Sequence, residues 1–190
     1  MSGKREKGQY GYRDYHKKIQ LAKVIFGAAM ILVQAGARSF TDNEAAKNIL
    51  TVMAILSVLP TANIASPLLA SWKYKTPGRD FYDRIRVFED RGLVLYDLIV
   101  TSKDQILAVD AAVVHPKGVF VFLRQDKADV QKAEKFLNDT FQAYRLDPNV
   151  KVIQDEKGFL KRIQGLKPAD GLEDDGSMEY GAGVLKSLSM

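Results

Sequence analysis

Few residues in this chain have the chemistry of a catalytic or metal centre. None of its 190 residues is a cysteine, which excludes disulfide scaffolds, thiolate-bound zinc or iron–sulfur clusters, and thiol nucleophiles. The two histidines, His16 and His115, are far apart in the sequence, so any metal would rest mainly on carboxylates. Asp110 is the candidate catalytic carboxylate, set in the apolar run Ile106 to Val114 (ILAVDAAVV). Strand alternation would put it on a face with Ala112 and Val114, where it needs a bound cation or a basic partner such as Arg84, Arg86 or Lys103. His115 opens the turn His115-Pro116-Lys117-Gly118 and reads as an exposed turn residue rather than a base. No Gly-rich phosphate loop, zinc motif or nucleophile with a matched base appears elsewhere.

The elements that must position Asp110 are legible from residue 80 onward. Asp80 can cap a short helix in which Phe81, Ile85 and Phe88 share a face, ending near Gly92. Leu93 to Val100, Ile106 to Val114 and Val119 to Leu123 read as three antiparallel strands joined by the polar connection Ser102-Lys103-Asp104-Gln105 and the His115–Gly118 turn. An amphipathic helix over Ala128 to Leu146 follows, then a short strand over Val150 to Ile153 and a helix over Glu156 to Ile163. These spacings predict an α+β fold, αβββαβα over 80–165, with a mostly antiparallel sheet. Residues 166–190 are Gly-rich and acidic at first, lack a core pattern and read as a flexible tail, apart from a contact that Val184, Leu185 and Leu188 could make.

The stretch from Asp110 to Phe122 (DAAVVHPKGVFVF), with that order of elements, resembles the αβββαβ core of the PD-(D/E)xK nuclease superfamily and, within it, the nuclease-related domain (NERD) family. The resemblance implies an Asp on the second strand and a Glu-x-Lys at the end of the third, the acids holding a divalent cation and the Lys helping to activate water for phosphodiester cleavage. Asp110 falls on the family's Asp. Leu123 stands where the Glu belongs and Gln125 where the Lys belongs, so the resemblance is to a degenerate member in which Asp110 is a relict or structural acid. Asp126 with Arg124 or Lys127 is the displaced alternative.

The N-terminal third has a different character. Residues 1–79 carry 12 Lys/Arg and 4 Asp/Glu, against 16 and 19 in residues 80–190. Ile49 to Ala70 runs 22 residues without a charge, enough at about 1.5 Å per residue to cross a hydrocarbon core of about 30 Å. Pro60 and Pro67 should kink it, and with Asn63 they are candidate intramembrane polar or kink positions. A second span is expected over 19–37, with Lys23 snorkelling to the headgroups. Small residues, among them Gly27, Ala28, Ala29 and Gly36, would let the two helices pack as a transmembrane hairpin over 19–72. Lys17, Lys18, Lys23, Trp72 and Lys73 are the expected interface residues. The basic tail 1–18 and the basic stretch after the second span put both termini in the cytoplasm by the positive-inside bias.

The function expected from these readings is a membrane-anchored protein whose cytoplasmic domain is a binding or regulatory module without catalysis. It would need no cofactor, and its partners would be the lipid bilayer and a protein or a second copy of itself. Topology already accounts for the basic clusters, which leaves nucleic acid the less favoured partner. Two alternatives stay open: a Mg²⁺-dependent phosphodiesterase built on Asp110 with a displaced acid, and a small subunit of a membrane complex.

Overall fold

The computed structural model describes residues 4–125, 127–168 and 176–190. The chain forms two compact units, one made of Asp14–Lys73 and the other of Met1–Arg13 with Tyr74–Met190.

The first unit is a pair of long helices, α1 (Tyr12–Phe40, whose first two residues belong to the other unit) and α2 (Glu44–Ser71). Asn43 starts α2 by accepting hydrogen bonds from the N–H groups of Ala45 and Ala46, which would otherwise lack partners at a helix start. The helices run antiparallel: Lys17 donates to the Trp72 carbonyl, Ser57 donates to Gln34, and a Cβ on Gly27 would overlap the Thr61 hydroxyl. Gly27 is thus the small residue that permits close approach, whereas Gly36 faces open space. Both prolines lie inside one continuous α2. Each helix is long and apolar enough to cross a membrane.

The second unit is a four-stranded sheet, β1 (Leu93–Thr101), β2 (Ile106–His115), β3 (Gly118–Leu123) and β4 (Val150–Ile153), in the order β1-β2-β3-β4. The first three strands form an antiparallel meander and β4 runs parallel to β3. The α+β class and the order of elements are as the sequence predicts. α3 (Arg79–Ile85), continued by a 3-10 turn over Arg86–Arg91, and α5 (Glu156–Gln164) lie on one face, around Phe81, Ile85, Phe122, Phe159 and Ile163. α4 (Val130–Ala143) and α6 (Ser177–Leu188) lie on the other, around Leu98, Val109, Val121, Leu137 and Leu185.

Several expectations need correction. Gly78 precedes α3 and no side chain caps it, so Asp80 acts as a first-turn acid near the positive end of the helix. α4 begins two residues later than expected because Asp129 accepts from the Lys132 N–H, which defines the start. The stretch read as a flexible tail contains α6, with Met178, Ala182, Val184 and Leu185 buried in the main core. Two glycines, Gly181 and Gly183, and short apolar side chains hide its pattern, and Gly181 lies against Val114 and Phe141. Residues 4–13, read as part of a basic tail, also belong to this unit: the Tyr96 N–H donates to the Gly8 carbonyl at 2.8 Å. At the far end of the same strand the Met190 N–H donates to the Ile99 carbonyl at 2.9 Å. Both chain ends therefore cover β1, which would otherwise be an exposed edge.

Candidate functional site

β1 and β2 each contain one aspartate in the middle of an apolar strand, Asp97 and Asp110. Both are points where the strand departs from regular alternation. In β1, Leu95 faces the α4/α6 side, and so do Leu98 and Val100 after the acid; in β2 the same holds for Leu107 and Val109 and then Ala112 and Val114. Asp97 has φ of 58°, and the β2–β3 register shifts between Val109 and Ala111. The pairing Tyr96↔Ala111 and Leu98↔Val109 leaves the two acids opposite one another. Each strand thus carries one extra residue relative to β3, and the bulge takes Asp110 off the face of Ala112 and Val114 where simple alternation would put it.

Two buried carboxylates side by side need positive charge, and Arg13 supplies it. Its side chain is buried in the sheet-bearing unit, as is Asp110; the two residues are 3% and 4% exposed. Arg13 Nη1 lies 3.0 Å from Asp110 Oδ1 and 2.7 Å from the Lys75 carbonyl; Nη2 donates to the carbonyls of Val109 and Leu98 at 2.9 and 3.2 Å. Nε faces Asp97 Oδ1 at 4.0 Å, and neither of those atoms has a hydrogen-bond partner. Asp97 Oδ2 accepts from the Gly11 N–H at 2.6 Å and the Thr76 hydroxyl at 2.9 Å. Burial pushes both carboxyl groups above their ordinary value of 3.8, while Arg13 pulls them down.

On its other side Asp110 Oδ2 meets Arg124 Nε at 3.5 Å. Arg124 lies over the Phe81 ring and also approaches Glu156, which accepts from Arg84. An alternating chain of charge therefore runs Asp97, Arg13, Asp110, Arg124, Glu156, Arg84, from the buried centre to the surface. Of the partners expected for Asp110, Arg84 is held by Glu156 and Arg86 lies near Asp83, while Lys103 lines a different surface hollow.

This arrangement does not fit a divalent cation. The two oxygens of Asp110 each face a guanidinium, and Leu123 is fully buried on the opposite face of the sheet, so an acid at that position would point away from Asp110. Gln125 donates to the Tyr74 hydroxyl and accepts from the Ala108 N–H, serving backbone and side-chain hydrogen bonds beside the bulge. Asp126 lies outside the described residues. Among the described residues no group of three or more His, Asp or Glu is placed to hold a metal.

What the cluster does bring together is the chain on both sides of the helical pair. Arg13 and Asp97 hold Gly11, Lys75 and Thr76, and the Tyr10 hydroxyl donates to the Pro77 carbonyl at 2.8 Å. Residues 10–13 and 75–77 are fastened over the two bulged strands. Sequence reasoning missed Asp97 and Arg13. The available signal was the hairpin itself: a connection over Ser102–Gln105 places Asp97 opposite Asp110, and two facing acids imply a buried cation.

The remaining candidates are dispersed. His115 is buried at the end of β2, not exposed: its Nδ1 accepts the Lys117 N–H at 3.0 Å and its Nε2 lies 3.2 Å from the Lys167 carbonyl. Pro116 turns the chain so that the ring folds under the turn. Within the helical unit, Lys17 meets Trp72, while Lys18, Lys23 and Lys73 are exposed. Pro60 and Lys23 line one hollow with Phe26, Met30 and Ile64, which Asn63 and Pro67 do not join. Comparisons of the chain with protein-family models, with curated proteins and with solved structures return no match.

Proposed function

We propose that α1 and α2 cross a lipid bilayer as a hairpin with both chain ends in the cytoplasm, and that the sheet-bearing unit is a non-catalytic binding or regulatory module held at the inner face. In this reading the unit descends from a nuclease-related domain whose strand acid has become a fastening. The observation that carries the anchoring is the outward display of apolar side chains along both long helices. Phe26, Leu32 and Leu59 are 69%, 71% and 64% exposed, and each large side chain left in water forgoes about 1.5–3 kcal/mol of burial. A bilayer removes that penalty. The non-catalytic assignment rests on Asp110, whose ligand positions are taken by Arg13 and Arg124.

Two measurements test the reading on the full-length chain. Membranes from producing cells, washed in alkaline carbonate, should retain the protein, and protease should reach residues 80–190 only in inverted vesicles. Release by carbonate, or digestion of that unit from outside intact cells, would refute the topology. Purified protein given Mg²⁺ or Mn²⁺ should leave DNA and RNA intact; cleavage that disappears with Asp110→Ala would restore the enzyme reading.

A further inference from the structure

A second site stands apart from the aspartate cluster, on the face of the sheet covered by α5. The turn between β2 and β3 and the last two turns of α5 enclose a hollow of about 470 Å³, within the roughly 300–1,000 Å³ typical of small-molecule sites. Its floor is apolar, made by Phe120 and Leu166, and its rim carries Lys117, Lys161 and Arg162, with no acid in the lining among the described residues. Among the described residues none of these three cations forms a salt bridge.

Two of the three are held in place. Lys117 has its backbone pinned from both sides, its N–H by His115 Nδ1 at 3.0 Å and its carbonyl by the Asn149 amide at 2.6 Å. The Arg162 guanidinium lies over the Phe120 ring, 5.2 Å from its centre, which orients the planar donor fork. Gly158 and Gly165 keep the helix side of the hollow free of side chains. Three cations from two separate elements, converging on one concavity with an apolar floor, exceed what a single carboxylate would engage. They match a phosphoryl group, which offers several oxygens to charge-assisted donors.

We propose that this hollow binds a phosphate-bearing anion of small-molecule size, the phosphoryl oxygens meeting Lys117, Lys161 and Arg162 and the remainder resting on Phe120 and Leu166. The proposal rests on reading the unit as a binding module and not on the membrane topology. The hollow at Lys103, Lys132, Lys135 and Asp139 provides the contrast, because its cations are interleaved with acids.

Full-length protein in detergent micelles, titrated calorimetrically with inorganic pyrophosphate, should bind saturably at one site. Lys161→Gln with Arg162→Gln should weaken binding by about tenfold or more, as expected for loss of charge-assisted hydrogen bonds, and Lys117→Gln should weaken it separately. Lys103→Gln with Lys135→Gln removes the same charge elsewhere and should leave affinity unchanged; thermal unfolding checks that every variant is folded. Absence of saturable binding, or equal loss in the Lys103/Lys135 variant, overturns the proposal. The source of the phosphate is read by repeating the titration in phosphatidylcholine nanodiscs with and without phosphatidic acid. Loss of pyrophosphate binding when phosphatidic acid is present identifies a lipid headgroup; unchanged binding identifies a soluble phosphate. Because micellar pyrophosphate binding needs no particular topology, its failure is distinct from failure of the carbonate and protease tests.

Discussion

Leucine, isoleucine, valine and phenylalanine point outward along α1 and α2 and inward in the sheet-bearing unit. Polar side chains reverse the same way. In the helical pair Gln34 and Ser57 meet between the helices, and Ser57 and Thr61 also donate to carbonyls of their own helix one turn back. In the other unit the buried polar side chains among the described residues are the almost fully paired Arg13–Asp97–Asp110 cluster, His115 and Ser189. One chain thus obeys two partition rules, as the proposed anchoring requires: in a bilayer backbone and hydroxyl groups must be satisfied internally, whereas water satisfies them outside it. The largest effect that could break this comparison is a charge placed on the outward face of α2. Leu56→Lys with Leu59→Lys would cost about 2.5–3.5 kcal/mol per residue at the centre of a membrane span. The variant should lose carbonate resistance. If α2 instead faced water, the same change would improve solubility and leave fractionation unaltered.

The next test concerns the place where, among the described residues, the sheet-bearing unit buries Asp and Arg side chains. Arg13→Ala leaves Asp97 and Asp110 facing each other without a cation and should destabilise the unit by about 3–5 kcal/mol. Chemical unfolding of the micellar protein, followed by its near-ultraviolet circular dichroism, measures it. Arg13→Lys should recover only part, since one ammonium cannot serve Asp110 and three carbonyls in one plane. A loss below about 1 kcal/mol for Arg13→Ala would mean that the cluster behaves like a surface ion pair.

α6 offers a third comparison, between a segment that reads as a tail and a segment that packs. Leu185 is buried against the main core, and Leu185→Ala should cost about 2–5 kcal/mol. An unchanged unfolding midpoint would return the segment to the status of a passive tail.

What was legible in the sequence divides along physical lines. Strands and amphipathic helices with strong local periodicity are placed closely, β2 within one residue and α4 within three, because their own side chains specify the face they bury. α6 was missed because small residues such as Gly181 and Ala182 make its apolar face look like linker, although Gly181 packs beside Val114 and Phe141 and Ala182 is buried in the core. The aspartate cluster was half visible. Asp110 stood out as a charge in an apolar strand, but its partner Arg13 lies 97 positions away, and no local pattern reports a contact of that separation. The bulges were hidden for a related reason, since an extra residue in β1 and its match in β2 cancel in the hairpin register and show only against β3.

His115 sharpens the contrast between buried and exposed basic groups through pH. Burial lowers its pKa below the ordinary 6.5, with Lys117 adding to the effect and the Lys167 carbonyl opposing it. The unfolded chain therefore binds a proton more readily than the folded one as pH falls below 6.5. Its contribution to stability is complete above that value and is lost as pH drops through 6.5 toward the lowered folded pKa. Protonation also removes the acceptor for the Lys117 N–H. Urea midpoints measured between pH 7.5 and 5, endpoints chosen to bracket a histidine transition near about 6.5, should fall for the parent protein. They should be flatter for His115→Gln, and equal slopes in the two proteins would remove the histidine from the account.

The smallest effect lies at the outer end of the charge chain. Arg84 and Glu156 make a well-formed ion pair, with Arg84 Nε 2.9 Å from Oε1, but both side chains are partly exposed. Glu156→Gln should therefore cost less than about 1 kcal/mol and fade at high salt. Glu156 also stands 4.0 Å from Arg124, the group that faces Asp110. A double-mutant cycle of Glu156→Gln with Arg124→Gln separates the two roles. Coupling of a few tenths of a kcal/mol, within the range for exposed pairs, would mean that the buried end of the chain is held by Arg13 alone. Coupling well above 1 kcal/mol would show that the surface pair orients Arg124 on Asp110, so that the fastening over the two bulges extends to the outer edge of α5.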